Sequence, residues 1–185
     1  MSALNDQQPL TFDLVIERSK SFGPILVKHL KSHAITWALL VLLYGVVHAN
    51  YRLAINQTPS LPYTLFLIGL DDTVETGGYI AFKWRHGEPY PDGITFTKRL
   101  IAGPGDIVTK KGRDFIIGDR TLVGKEVGLS LKKLFSNDEL HEGKNTIQLN
   151  KYFVAGDHEY SLDSRYNLLG LVDKKEVIGR AYPIF

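Results

Sequence analysis

The sequence predicts a mostly β domain preceded by a single N-terminal transmembrane helix. Near the N-terminus, one long run carries no formal charge, Ala34 to Ala49. Beyond it the pattern changes to short apolar runs broken by glycine and proline, which is typical of strands joined by turns. A chain of 185 residues is long enough for one domain with a hydrophobic core and an appendage of this kind.

Residues 1–33 are expected to form a cytoplasmic N-terminal tail, with a helical stretch from Leu10 to Lys20. The orientation follows from the positive-inside rule, because cytoplasmic flanks of membrane helices are rich in lysine and arginine. Only Arg52 follows the uncharged run closely, whereas four cations precede it: Arg18, Lys20, Lys28 and Lys31. The residues beyond Arg52 are therefore expected on the other side of the membrane.

The transmembrane anchor is predicted over residues 34–53. The uncharged run has 16 residues, slightly fewer than the roughly 20 that span a bilayer core. Three following residues can lengthen it: Tyr51, Leu53 and Ala54. Aromatic residues often lie at the membrane interfaces, and three are candidates for that role: Trp37, Tyr44 and Tyr51.

Two other interpretations of the uncharged run stay open. A buried core helix is one, although the run is apolar on all faces and shows no single stripe. A cleaved signal peptide is the other, since Val47-His48-Ala49 resembles a small-residue cleavage site. The 33 residues that precede the run are far longer than the usual charged leader region, so a retained anchor is favoured.

The segment from residue 54 to 185 is predicted to be the β domain. Six short apolar runs are interpreted as strands: Leu65–Leu70, Tyr79–Trp84, Ile94–Ile101, Asp114–Ile117, Thr146–Leu149 and Tyr152–Ala155. One helix is expected in this part, from Ser130 to Leu140, within a segment from 119 to 145 that we interpret as an insertion.

Composition excludes several classes of function. The chain has no cysteine, which rules out disulfides, thiolate nucleophiles and zinc–thiolate sites. The formal net charge of +2 is too small to indicate a nucleic-acid partner. One compact basic patch lies beyond the N-terminal region and is interpreted as a solvated turn: Lys110, Lys111 and Arg113. No cofactor and no metal site are predicted.

Ser60 is a candidate nucleophile in the segment Thr58-Pro59-Ser60-Leu61-Pro62. The two prolines fix their own φ angles and restrict the residues before them, so this loop is stiff and not helical. A nucleophile benefits from such rigidity because it is held near its attack geometry without further ordering. The alternative is an ordinary turn serine.

Lys98 is a candidate general base in a predicted strand. Residues alternate between the two faces of a strand, so Lys98 shares a row with Phe96 and Leu100 while Arg99 points to the other face. Burial in an apolar row lowers the pKa of an amine from about 10.4, and a base needs a value near 7 to 8. The alternative is a lysine that extends its amine to solvent at the strand end.

A third polar segment, Gly156 to Arg165, could hold the serine and the lysine. Ser161, Asp163 and Arg165 alternate, so one extended face could carry a hydroxyl, a carboxylate and a guanidinium. The hydroxyl could orient the lysine amine, and Asp163 could pair with Arg165. A solvated turn is the alternative. Together the three segments predict a hydrolytic or acyl-transfer site built without histidine or metal.

These segments, in this order, resemble the signal peptidase I family of membrane serine-lysine peptidases. Residues 97–106, Thr-Lys-Arg-Leu-Ile-Ala-Gly-Pro-Gly-Asp, are similar to the lysine box of that family, and Gly156-Asp157 with Ser161 to Tyr166 is similar to its C-terminal box. The resemblance covers residues 54–109 and 147–183, and the 119–145 segment lies outside it. It implies a signal-peptidase-like β domain.

The resemblance also implies the roles of the site residues. Ser60 matches the nucleophile and Lys98 the general base. Thr58 matches a residue whose hydroxyl forms the oxyanion hole with the Ser60 backbone N–H, while Ser161 matches the serine that orients the lysine. The remaining two residues match the supporting ion pair, Asp163 and Arg165.

The nucleophile segment departs from the ordinary family pattern, because Leu61 follows the serine and Pro62 comes two residues after it. This variant resembles most closely the TraF-type peptidases of conjugative plasmids, which mature and can cyclise the pilin subunit. The expected function is therefore pilin processing by an enzyme of the bacterial inner membrane, with its catalytic domain in the periplasm. Two alternatives are a general signal peptidase that removes leader peptides and a non-catalytic scaffold of a secretion or pilus machine.

Overall fold

The computed structural model describes residues 23–70, 74–128 and 132–185, which fall into an N-terminal unit ending at Ala49 and a C-terminal unit from Asn50 to Phe185. Residues 1–22 of the tail predicted over residues 1–33, including its helical stretch from Leu10 to Lys20, lie outside the described residues.

In its described part, the N-terminal unit forms two helices, α1 (Gly23–Ser32) and α2 (Ala34–Asn50), bent by 81° at the break between them. In the described residues, neither helix alone has the length and hydropathy needed to cross a bilayer, and only the bent pair taken together meets those two criteria. Helix α2 ends at Asn50, and the residues expected to lengthen the span, Tyr51, Leu53 and Ala54, lie in a strand. That extension was wrong because their backbone groups pair with a neighbouring strand instead.

The C-terminal unit is mostly β, as predicted. Its described strands, in chain order, are β1 (Tyr51–Ile55), β2 (Leu65–Gly69), β3 (Tyr79–Lys83), β4 (Thr95–Ala102), β5 (Ile107–Lys111), β6 (Asp114–Ile117), β7 (Arg120–Leu122), β8 (Gly143–Thr146), β9 (Lys151–Ala155), β10 (Val172–Asp173) and β11 (Val177–Pro183). They form a seven-stranded sheet in the order β1-β2-β11-β3-β4-β9-β10 and a four-stranded sheet in the order β7-β6-β5-β8. A short 3-10 helix, Lys174–Glu176, precedes β11.

The two sheets share a hydrophobic core. Phe153 of the larger sheet and Phe115 of the smaller one are fully buried, with their ring centroids 5.4 Å apart. A second cluster lies around Trp84, and it includes Ile80, Leu100 and Val154. Since burial of such side chains is the main force that stabilises the fold, the second cluster also fixes the position of the central strands β3 and β4.

Most of the predicted strands are confirmed. The structure has β2, β3, β4, β6 and β9 within about one residue of the predicted bounds. The run Thr146–Leu149 is displaced, because β8 ends at Thr146. Five strands were missed: β1, β5, β7, β10 and β11. Most of these are short, or carry polar residues in place of a continuous apolar run.

The helix predicted from Ser130 to Leu140 was wrong. The described part of this segment, 132–140, has no helix and instead makes two isolated bridges, Val127↔Lys133 and Ser136↔Tyr166. Its backbone donors bind to distant segments, for example Asn137 N–H to the Arg165 carbonyl at 2.9 Å. Such tertiary hydrogen bonds override a local helix preference.

The basic patch is not a solvated turn. Lys110 lies in β5, and its amine donates to the backbone carbonyls of Asn137 and Leu140. Arg113 donates to the carbonyls of Lys125 and Leu134. These cations therefore fasten the predicted insertion to the smaller sheet.

The shared core gives a stability prediction. Replacing Phe115→Ala removes a fully buried ring between the two sheets, so we expect the free energy of unfolding to fall by about 3–5 kcal/mol. The matched control is Leu149→Ala, whose side chain is 83% exposed and whose loss is expected to cost less than about 0.5 kcal/mol. Urea unfolding of the full chain in detergent measures both, and equal losses would contradict the described core.

Candidate active site

The loop between β1 and β2 places Ser60. The side chain of Asn56 shapes this loop, since its amide donates to the carbonyls of Leu61 (3.3 Å) and Tyr63 (3.0 Å). Its oxygen accepts from the backbone N–H of Thr58 at 3.3 Å and from the Thr58 hydroxyl at 3.2 Å. Sequence reasoning missed Asn56, although an asparagine two residues before a polar turn residue is a known signal for such a turn.

Ser60 is held at both its side chain and its carbonyl. Its Oγ lies 2.9 Å from the Thr58 hydroxyl. Its carbonyl accepts from the N–H of Asp157 at 2.8 Å and more weakly from His158 at 3.3 Å. The serine is only 6% exposed, and these contacts join the nucleophile loop to the third polar segment.

Lys98 is a buried amine with one close hydrogen-bond partner. It lies on β4 opposite Ile80 of β3, is 4% exposed, and its Nζ donates to Ser161 Oγ at 2.8 Å. Burial among apolar neighbours lowers the pKa of Lys98 to about 8; the Asp163 carboxylate opposes this shift, and the Arg165 guanidinium adds to it.

A buried ion pair braces the segment that carries Ser161. Arg165 donates to both Asp163 oxygens, from Nε at 2.8 Å and from Nη2 at 2.9 Å. Arg165 Nη2 also reaches the Ser161 carbonyl at 3.3 Å, and Asp163 accepts from the Gly156 N–H at 3.0 Å. A two-point pair of this kind fixes direction as well as distance, so it sets where the Ser161 hydroxyl points.

Gly156 allows the two serines to approach one another. A Cβ at this position would lie 2.1 Å from Ser161 Oγ and 2.8 Å from the Ser60 carbonyl oxygen. Real Cβ contacts are essentially never that short, so any side chain here would push one serine away from the other. A glycine is therefore required at position 156, because the loop of Ser60 and the side chain of Ser161 approach its Cα closely. The sequence of the segment from Gly156 to Arg165 did not indicate this requirement.

Arg99 acts on the opposite face of β4, as the strand alternation predicted. It binds both oxygens of Asp157, at 2.8 and 2.7 Å, and Tyr79 Oη at 2.6 Å. Asp157 is the residue whose N–H holds the Ser60 carbonyl. Lys98 and Arg99 are thus adjacent in sequence and contact the two ends of the same loop.

The structure brings all six predicted site residues together, but not in a finished reactive arrangement. Among the described residues Ser60 Oγ bonds to Thr58 and Lys98 Nζ bonds to Ser161, with no direct hydrogen bond between Ser60 and Lys98. Thr58 already donates to Asn56, so in this state its hydroxyl accepts from Ser60. The distance between a nucleophile and its base is often longer in the absence of substrate than during the reaction.

A groove of about 1080 Å³ contains these groups. Ser60, Lys98 and Ser161 line it together with residues from β1, from the loop before β4 and from the predicted insertion. The rest of its wall mixes apolar side chains with uncharged polar ones, for example Gln57, Thr95 and Thr97, and a few charged ones. Within the described ranges, no cluster of three or more His, Asp or Glu residues could hold a metal ion.

The chain is similar to a known protein family, to two curated proteins and to a solved structure. A family model described as signal peptidase, peptidase S26, matches residues 26–185. The chain is 35% identical over 103 residues to signal peptidase I of Bacillus licheniformis, covering 50% of this chain and 51% of that protein. It is 32% identical over 99 residues to signal peptidase I S of Bacillus subtilis (strain 168), with coverage of 51% and 53%.

The chain therefore spans about half the length of the curated relatives it matches. Among solved structures, a signal peptidase I from Enterococcus faecalis V583 is 27% identical, with a TM-score of 0.35, covering 58% of this chain and 96% of that chain.

The buried amine gives a prediction about stability and pH. The unfolded chain holds the Lys98 proton up to about pH 10.4, whereas the folded chain releases it near pH 8. Between those values the unfolded state binds more protons, so stability rises with pH. The full rise is about 3 kcal/mol and should be missing in Lys98→Met.

The measurement is the free energy of unfolding of both proteins at pH 7, 8.5 and 10, compared as a difference so that other groups cancel. Parallel pH curves for the wild type and Lys98→Met would mean that Lys98 is an ordinary solvated lysine.

Proposed function

This chain belongs to the signal peptidase family, peptidase S26, and on that premise we propose that it is a serine endopeptidase that cleaves leader peptides from exported pre-proteins. Ser60 is the nucleophile and Lys98 the general base. The single observation that carries the proposal is the buried Lys98 amine, with its lowered pKa, in the same groove as Ser60 and directed by Ser161.

The lowered pKa makes the amine available as a base. An amine with a pKa of about 8 is neutral in about one tenth of the molecules at pH 7, whereas an ordinary lysine is neutral in roughly one in 2,500. Catalysis by a base depends on the neutral fraction, so the lowered pKa raises the fraction of usable base at pH 7 by about two orders of magnitude.

The proposed reaction has two steps. Ser60 Oγ attacks the scissile carbonyl while its proton passes to Lys98 Nζ, and the proton is then given to the leaving amine as the C–N bond breaks. Water next attacks the acyl-enzyme while Lys98 takes its proton, and Lys98 then gives that proton to Ser60 Oγ as the ester C–O bond breaks, which releases the acid and restores both residues. The Ser60 N–H and the Thr58 hydroxyl stabilise the oxyanion, for which the hydroxyl must turn away from Asn56.

The strand arrangement supports an extended peptide as the substrate. Strand β4 pairs with β9 only from Arg99 onward. On that side its first half, Thr95 to Lys98, borders the groove and has no partner strand among the described residues. A peptide can add to such an edge through backbone hydrogen bonds, which would lay its chain across Lys98. A non-catalytic scaffold would not need this open edge beside a buried amine.

We further propose that the N-terminal unit anchors the enzyme in the bacterial inner membrane, with the N-terminus in the cytoplasm and the peptidase domain in the periplasm. The apolar side chains of α2, such as Leu39, Val41 and Leu42, are exposed in the structure. The cations that precede α2 outnumber those that follow it closely, which supports the orientation. An anchored enzyme would meet membrane-inserted pre-proteins as substrates.

The finer candidate is a conjugative pilin as the substrate, which the order Ser60-Leu61-Pro62 favours. The side chain of Leu61 is 5% exposed and packs in the core with Phe66 and Ile68. Leu61 therefore affects the site through the shape of the nucleophile loop, without contacting the peptide directly. In the cyclising form of this reaction, the N-terminal amine of the pilin replaces water in the second step.

Co-expression with a candidate pre-pilin tests the role of the catalytic pair. We expect the wild type to trim the pilin, and both Ser60→Ala and Lys98→Arg to abolish trimming, because guanidinium cannot act as a base. The intact mass of the pilin measures this outcome, and a further loss of one water would identify a cyclic product. Trimming that persists with Ser60→Ala would exclude Ser60 as the nucleophile.

Gly156→Ala tests the packing between the two serines. The new Cβ must displace Ser161 or Ser60, and a misplacement of about 1 Å can cost about 100-fold in rate. We expect kcat on a leader-peptide substrate to fall by that order. The matched control is Gly103→Ala, whose added Cβ would have its nearest neighbours 4.0 Å away and should leave kcat nearly unchanged. An equal fall in kcat for Gly156→Ala and Gly103→Ala would show that the close contacts of Gly156 with the two serines do not matter for catalysis.

A further inference from the structure

One wall of the groove comes from a hairpin in the predicted insertion, which we call the wall hairpin: residues 125–128 and 132–134. Its two arms pair through Leu134 N–H to the Glu126 carbonyl at 2.8 Å and Gly128 N–H to the Lys132 carbonyl at 3.0 Å. Gly128, Lys132, Lys133 and Leu134 all line the groove.

The wall hairpin is fastened to the body of the domain. Arg113 Nη2 donates to carbonyls on both arms, to Lys125 and, at 2.7 Å, to Leu134. The Tyr166 hydroxyl accepts from the Lys125 N–H at 3.0 Å. The Lys125 amine pairs with Glu159 at 2.7 Å, next to the groove residue Tyr160. The described arms are therefore tied to β5–β6 and to the segment that carries Ser161.

Two cations of the wall hairpin are exposed and have no carboxylate partner among the described residues: Lys132 and Lys133. Other described lysines, such as Lys125 and Lys151, do pair with carboxylates. The groove lining contains a single carboxylate, Glu88, on the loop before β4. The groove therefore carries an excess of positive charge even when Lys98 is neutral.

We propose that Lys132 and Lys133 determine specificity by recognising an acidic side chain of the peptide substrate close to the scissile bond. The inference rests on the proposed peptidase function of the same groove. A peptide that reaches Ser60 and Lys98 must lie in the groove that Lys132 and Lys133 also line. In such a cleft, the positive charge of the lysines raises the affinity for a negatively charged side chain and lowers the affinity for a positively charged one. The occupant is an acidic peptide segment.

The test compares pairs of peptides that carry Asp or Asn at the same position, scanned along both sides of the cleavage site. Binding is measured by fluorescence anisotropy on full-length Ser60→Ala in a neutral detergent, so that the result does not depend on turnover. We expect at least one position at which Asp binds about two- to tenfold tighter than Asn at low salt. The preference should fade at high salt because the charges are screened.

The decisive variant is Lys132→Glu with Lys133→Glu, which should abolish or invert the preference for Asp. The control is Lys111→Glu with Lys144→Glu, an equal charge change at exposed residues of the smaller sheet outside the groove lining, which should keep it. An Asp/Asn ratio that is the same in all three proteins, or no position that favours Asp, would overturn the inference. Loss of binding to anionic lipid vesicles with an unchanged Asp/Asn ratio would assign the lysines to the membrane and also overturn it.

Cleavage of the same peptides by the protein with Ser60 intact separates this inference from the proposed function. A preference for Asp that depends on Lys132 and Lys133, without any cleavage, would reject the peptidase function and keep the acidic-peptide site. Cleavage without such a preference would keep the peptidase and reject the acidic-peptide site.

Discussion

The desolvation of one amine is the constraint on which the site depends. Lys98 has Ile80 opposite it on β3 and Phe96 on the same face of its own strand, and its amine reaches a single hydroxyl. An ammonium in such surroundings is costly, so burial shifts the protonation equilibrium of Lys98 toward the neutral amine. The apolar cluster around β3 and β4 therefore has two effects: it forms the core of the larger sheet, and it lowers the pKa of Lys98.

Strand β4 transmits that constraint to the rest of the site. Its alternation sends Lys98 to Ser161 on one face and Arg99 to Asp157 on the other. These partners are four residues apart in one loop, and the same loop binds the Ser60 carbonyl. The Asp163–Arg165 pair then fixes the loop from behind. The relative position of the serine and the lysine is thus set by the backbone and side-chain contacts of a short, braced segment.

Local pattern predicted the parts of the structure that depend on neighbouring residues. The period of two placed Lys98 and Arg99 on opposite faces, and the prolines indicated a stiff loop at Ser60. The grouping of Ser60, Lys98 and Ser161 came from the resemblance, because no local pattern links residues about forty and sixty positions apart. Lys110 and Arg113 were wrongly interpreted as a solvated turn for a physical reason: their partners are backbone carbonyls far away in the sequence, which leave no local signal. The helix expected at Ser130–Leu140 failed because distant carbonyls and N–H groups satisfy that backbone.

An NMR titration of the lysine side chains in Ser60→Ala, with Lys98→Met as the assignment control, tests directly whether the Lys98 amine is desolvated. We expect one lysine amine that titrates at a pKa of about 8 and disappears in the Lys98→Met protein. We also expect this resonance to respond to Ser161→Ala, which removes its hydrogen-bond partner. A spectrum in which Lys98 titrates near 10.4, like an ordinary lysine, would show that the amine is solvated and would exclude this origin of the base.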